Sequence, residues 1–148
     1  MSKKNIIIIS LILFLTNCGF SPIYHNNNVN FSIEKVDYTG DREFNNFLKI
    51  NLDKYKNEDA DKKIFIKAQS NYEKNILTKD STGKVTSYKL EVQVTFLVKS
   101  NNKKIKITEK KIIDSMDDKF EETRRVKSVK QSFASSISSK LLTELTIN

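Results

Sequence analysis

Few side chains in this sequence are equipped for chemistry, and those few are scattered. Cysteine and histidine occur once each, as Cys18 and His25. A Ser/His/Asp relay needs a histidine held among partners. His25 instead falls in Tyr24-His25-Asn26-Asn27-Asn28, just after the single Pro22, a composition that suits a tether. One histidine also falls short of the several converging ligands a metal site needs. The acidic stretch Asn57-Glu58-Asp59-Ala60-Asp61 matches no calcium-loop spacing and reads as a solvated connection. Asp117/Asp118 and Glu121/Glu122 stand where the start of a helix favours acids, which accounts for both carboxylate pairs. The three glycines are not spaced to cradle a phosphate. The expectation is a protein that is not an enzyme, with no catalytic residue, no metal and no cofactor.

Cys18 is the exception, because its position gives it a chemistry. Lys3 and Lys4 precede Ile6–Leu15, which is apolar except for Ser10. A bilayer-spanning helix takes about twenty apolar residues, and this run has roughly half of that, the length of a signal-peptide core. Leu15-Thr16-Asn17-Cys18-Gly19 resembles a bacterial lipobox, with an aliphatic residue, a small residue and then the cysteine; Asn17 stands where Gly, Ala or Ser is usual. The resemblance implies S-diacylglycerol on the Cys18 thiol, cleavage before it, and an N-palmitoyl chain on the new amino terminus. Two acyl chains anchor stably where one does not. The other reading is an uncleaved signal anchor with an incidental cysteine. Gly19 is not the aspartate that retains lipoproteins in the inner membrane, so the expected location is the periplasmic leaflet of the outer membrane.

The net charge of the chain is +8. Basic balance invites a nucleic-acid reading, but an export signal points to the periplasm and away from nucleic acid. The excess accompanies a sequence rich in Lys, Asn and Ile. It reads either as solvated surface or as attraction to an anionic partner such as phosphorylated lipid.

The elements follow from periodicity. Val29, Phe31 and Ile33 alternate as a first strand whose phase shifts at Val36 and Tyr38. Thr39-Gly40-Asp41 reads as a turn ending in an N-cap. Phe44, Phe47, Leu48, Leu52 and Tyr55 then follow helical steps of three and four up to about Lys56. Lys63–Thr78 reads as a strand with Ile64, Ile66 and Ala68 on one face, and Asp80-Ser81-Thr82-Gly83 as a turn. Tyr88, Leu90, Val92, Val94, Phe96 and Val98 give the clearest signal: strict alternation, hence a strand with one buried and one wet face. At about eleven residues this strand exceeds the usual five or six, so its hairpin is expected to extend past the helices that cover it. Ser100–Lys103 closes a second hairpin, and Ile105, Ile107, Ile112 and Ile113 mark the last strand.

Asp117 or Asp118 would cap a final helix. Its expected core stripe is Phe120, Val126, Val129, Phe133, Ile137, Leu141 and Leu145. Arg124, Arg125, Lys127 and Lys130 lie off that stripe, and Ser132, Ser135, Ser136, Ser138 and Ser139 form a small polar second surface. The order β-α-β-β-β-α predicts an α+β fold. It is a two-layer sandwich, with two helices on one face of a four-stranded mixed or antiparallel sheet and a first strand that pairs in parallel or sits at an edge. The expected division is a signal peptide over 1–17, a lipidated tether over 18–28 and one domain over 29–148.

Cys18-Gly19-Phe20-Ser21-Pro22-Ile23-Tyr24 is similar to the Cys-Gly-Phe-x-Pro-Leu-Tyr start of many members of the LptE family, the lipoprotein partners of the outer-membrane lipopolysaccharide translocon. The element order agrees with that family over the rest of the chain. The resemblance implies a plug inside the LptD β-barrel that assists barrel assembly and the delivery of lipopolysaccharide to the cell surface. It would give the wet sheet face a polar lumen to meet. It would also give Lys74, Lys79 and Lys84, around the Asp80–Gly83 turn, an anionic ligand in lipopolysaccharide. The alternatives are lysines that only keep a hairpin soluble, and a free periplasm-facing lipoprotein that binds an amphiphile or another envelope component.

Overall fold

The computed structural model describes residues 31–147. The signal peptide, the tether, Cys18, His25 and Val29 lie outside the described residues. Strand β1 (Phe31–Gly40) leads into helix α1 (Arg42–Leu52) and a 3-10 turn over Asp53–Tyr55. Three strands follow, β2 (Lys62–Lys79), β3 (Val85–Val98) and β4 (Lys103–Asp114), and helix α2 (Lys119–Thr146) closes the fold. The sheet order is β1-β2-β3-β4. β1 is both at an edge and parallel to β2, and the other pairs are antiparallel. This is the expected open α+β sandwich.

Alternation sets which face is covered. Leu90, Val92, Val94 and Phe96 of β3 are fully buried with Ile64, Ile66 and Ala68 of β2, and the helices lie over this face. The phase shift in β1 is a bulge: the pairing with β2 slips between Ile33 and Lys35. β1 runs on through Gly40 instead of turning at Thr39. Gly40 has φ +98°, and a Cβ there would land on the Ser70 carbonyl oxygen. Glycine is the residue that tolerates both demands. Around it, Ser70 Oγ accepts the Asp41 N–H at 3.0 Å and donates to the Thr39 carbonyl at 3.3 Å, while Asn45 Nδ2 donates to the same carbonyl at 3.1 Å. Asp41 caps α1 by accepting from the Phe44 N–H at 2.7 Å.

Since β1 ends opposite Ser70, α1 returns toward the start of the sheet and covers only that half. α2 runs the other way, from the end of β4 back to Lys103, whose ammonium reaches the Glu144 carbonyl at 3.1 Å. β2 is the longest strand at 18 residues, not β3 at 14. At about 3.3 Å per residue it outruns α2, and Ile76 and Leu77 stay exposed beyond the helices.

α2 departs from its expected stripe in three places. Phe120, in the first turn, is 69% exposed, because that turn lies beyond the start of the core. Lys130 and Ser138, expected on the polar side, are buried. Ser138 satisfies its hydroxyl by donating to the Ala134 carbonyl at 2.8 Å, and with Ala134 it forms a small-residue step among Phe133, Ile137 and Leu141. Asp118, not Asp117, is the cap, accepting from the Phe120 and Glu121 N–H groups. In β4 the inward positions are odd, so Ile113 is buried and Ile112 is exposed.

Candidate functional surface

The polar residues fall into two groups, one tying the helices to the sheet around buried Glu122 and Lys130 and one spread on the open face. Beneath α2, the Lys74 ammonium lies 3.9 Å from the centroid of the Tyr88 ring and 2.8 Å from Glu122. Glu122 is 5% exposed and also accepts from the Met116 N–H at 3.1 Å and from Ser115 Oγ at 3.3 Å. The bond from Lys74 holds the Glu122 carboxyl down at about 2, against the opposing push of burial. About two turns further along α2, the Lys130 ammonium sits 4.0 Å from the Tyr72 ring centroid and 2.8 Å from Glu43. Burial, with Asp41 and Glu43 close by, pushes the Tyr72 phenol up to about 12. Glu109 of β4 accepts from Lys140 and Ser136, both at 2.6 Å; burial raises its pKa, but these bonds outweigh burial and the net shift is downward. These clusters pin α2 to β2, to α1 and to β4. Residue type alone marks none of these as partners, because each pair joins elements far apart in the chain.

The three candidate lysines near the hairpin do not converge. Lys74 belongs to the cluster under α2. Lys84 pairs with Asp117 at 2.7 Å, both side chains being exposed. Lys79 is exposed and has no partner among the described residues. The turn between them is organised by its own acid, since Asp80 Oδ1 accepts from the Thr82 N–H, the Thr82 hydroxyl and the Lys84 N–H. Those bonds, led by the Thr82 hydroxyl, hold the Asp80 carboxyl below its usual range.

The other face of the sheet is open across all four strands. Register places its side chains in rows: Asp37, Lys67, Leu97 and Lys104 form one, and Thr39, Gln69, Thr95 and Lys106 the next. Most of these two rows line a groove of about 520 Å³. A third row, Asn71, Gln93 and Thr108, continues toward the hairpin end, followed by Glu73, Glu91 and Lys110. Some charges here neutralise one another. Lys99 and Lys35 lie 2.9 Å and 3.2 Å from Asp37, and Lys89 and Lys110 lie 3.0 Å and 3.3 Å from Glu91. The bonds from Lys99, then Lys35, lower the Asp37 pKa. Three cations beside the groove, Lys67, Lys104 and Lys106, have no acidic partner among the described residues. The arrangement has the hydrogen-bonding rows and the surplus charge of a docking face.

The fold is similar to that of solved bacterial lipoproteins. The rare lipoprotein B of Shewanella oneidensis superposes with a TM-score of 0.55 at 14% sequence identity, over 75% of this chain and 92% of its own. Lipoprotein B of Nitrosomonas europaea does so with a TM-score of 0.55 at 15% identity, over 82% of this chain and 88% of its own. This is the LptE-like fold that the opening heptapeptide and the element order imply. No protein-family model matches the sequence, and neither does any curated protein.

Proposed function

We propose that this chain is an outer-membrane lipoprotein, anchored in the periplasmic leaflet through acylated Cys18, that seats in the LptD β-barrel and takes part in lipopolysaccharide transport to the cell surface. In this reading it assists the barrel as a non-enzymatic subunit, needs no cofactor beyond its own lipid, and has lipopolysaccharide as cargo. The observation that carries the reading is the sheet face left uncovered by both helices, mostly polar across four strands with Phe65, Leu97 and Ile112 among its polar rows, which fits a hydrophilic barrel lumen. The lipobox-like Leu15-Thr16-Asn17-Cys18 and the Cys-Gly-Phe-Ser-Pro-Ile-Tyr start support the anchor and the partner. Lys79, whose ammonium has no partner among the described residues, is the hairpin lysine left available for a lipid phosphate.

The test is purification of the full chain from detergent-solubilised outer membranes. A diacylated, N-palmitoylated peptide beginning at Cys18, a co-purifying β-barrel and protease protection of the domain are the expected results. A free, fully digestible protein would overturn the barrel partnership and favour the amphiphile-binding alternative.

A further inference from the structure

We propose that the groove half of the open sheet face docks an acidic loop of its protein partner, with Lys67, Lys104 and Lys106 as the charges that receive it. Lys104 and Lys106 project from one edge strand two residues apart, about 7 Å, and Lys67 stands across β3, about 10 Å away. All three are exposed and without an ion-pair partner, whereas the neighbouring lysines 35, 89, 99 and 110 are already paired on the same surface. Surplus positive charge confined to one end of a face is complementary to a negative segment.

The chemistry between the lysines favours a protein over a lipid. Gln69, Thr95 and Gln93 supply both donors and acceptors, which suits a peptide backbone and polar side chains. An acyl chain would need a continuous apolar trough, and Leu97 is the one large apolar side chain among those lining this groove. The β4 edge beside Lys104 and Lys106 resists an alternative mode, strand addition, because β4 carries lysines at positions 103, 104, 106, 110 and 111. Docking therefore uses the face.

This inference rests on the proposed seating in a barrel and names the surface that seating uses. It is tested in the full lipidated chain in its own outer membrane, with a photo-crosslinking phenylalanine analogue at Gln93 on the open face and, separately, at Gln131 on the exposed side of α2. The expected result is an adduct from Gln93 to a β-barrel protein, through a peptide containing Asp or Glu. K67E/K104E/K106E should lower its yield at least about fivefold, while K54E/R125E/K127E on the helix side leaves it unchanged. Raising salt from about 50 mM to about 500 mM should lower the unmodified chain's yield in the same direction, so the outcome does not rest on the triple variant's folding. An adduct to glycolipid from Gln93, or insensitivity to both charge reversal and salt, would overturn the inference. Barrel adducts from Gln131 alone would overturn it while leaving the barrel partnership standing, and no barrel adduct from either position would overturn both.

Discussion

The two faces of this sheet are built from the same strands, one residue out of phase, and they treat charge in opposite ways. Under the helices, Lys74 and Lys130 are each held by one aromatic ring and by carboxylates from elements far along the chain. On the open face, Lys35 and Lys89 pair with acids two positions away on their own strands, in water. Ion pairs of the second kind contribute little because solvent screens them. Pairs of the first kind cannot lose the partner of Glu122 or of Lys130 cheaply, since these two are buried and would be left uncompensated. The covered face thus fixes where α2 lies, and the open face keeps its polar groups exchangeable for a partner.

Breaking the covered face should cost most. Phe96→Ala is expected to destabilise the domain by about 3–5 kcal/mol in urea unfolding, since Phe96 is fully buried. Gln93→Ala, three positions away on the same strand and on the other face, should change the same measurement by less than about 0.5 kcal/mol. Equal losses at the two positions would erase the distinction between the faces. Gly40→Ala comes next, at about 3 kcal/mol, because the new Cβ meets backbone at Ser70 and the positive φ is strained.

Glu122→Gln should cost about 1–2 kcal/mol near neutral pH by weakening the charged hydrogen bond from Lys74. It should also change the acid limb. The Glu122 carboxyl sits at about 2 in the folded chain against 4.5 unperturbed, so its contribution is complete above about pH 4.5 and is lost as pH falls toward 2. Urea midpoints measured across that window should fall less steeply in the variant than in the unmodified chain; identical slopes would contradict the assignment. The smallest effect is expected from Lys35→Ala, an exposed pair with Asp37, which should leave the urea midpoint unchanged at neutral pH.

Much of the architecture was readable in advance. The alternation of β3 holds at every position from Leu90 to Val98. The phase shift at Val36 is a physical bulge, and Asp41 and Asp118 are caps. The misreadings have a common origin. Phe120 was assigned to the core by type and spacing, yet a helix can begin before the core does. Lys130 was placed off the core stripe and Glu122 was read only as an acid at a helix start, yet Lys130 meets Glu43 from 87 residues away and Glu122 meets Lys74 from 48. Of the candidate hairpin lysines, sequence proximity grouped Lys74 with Lys79 and Lys84, but strand parity turned Lys74 under α2. The groove cations Lys67, Lys104 and Lys106 gave no local signal at all, because they become neighbours only across two strand pairings.

Local sequence therefore determined the order of the elements, their caps and which residues of each strand face the core, since these depend on periods of two and of about 3.6 within a single segment. It also placed Cys18 behind an apolar run. The tertiary structure alone decided how far β2 outruns the helices, which charges are enclosed and which stay open on the uncovered face. Those outcomes depend on register and on partners distant in the chain, and no local period encodes either.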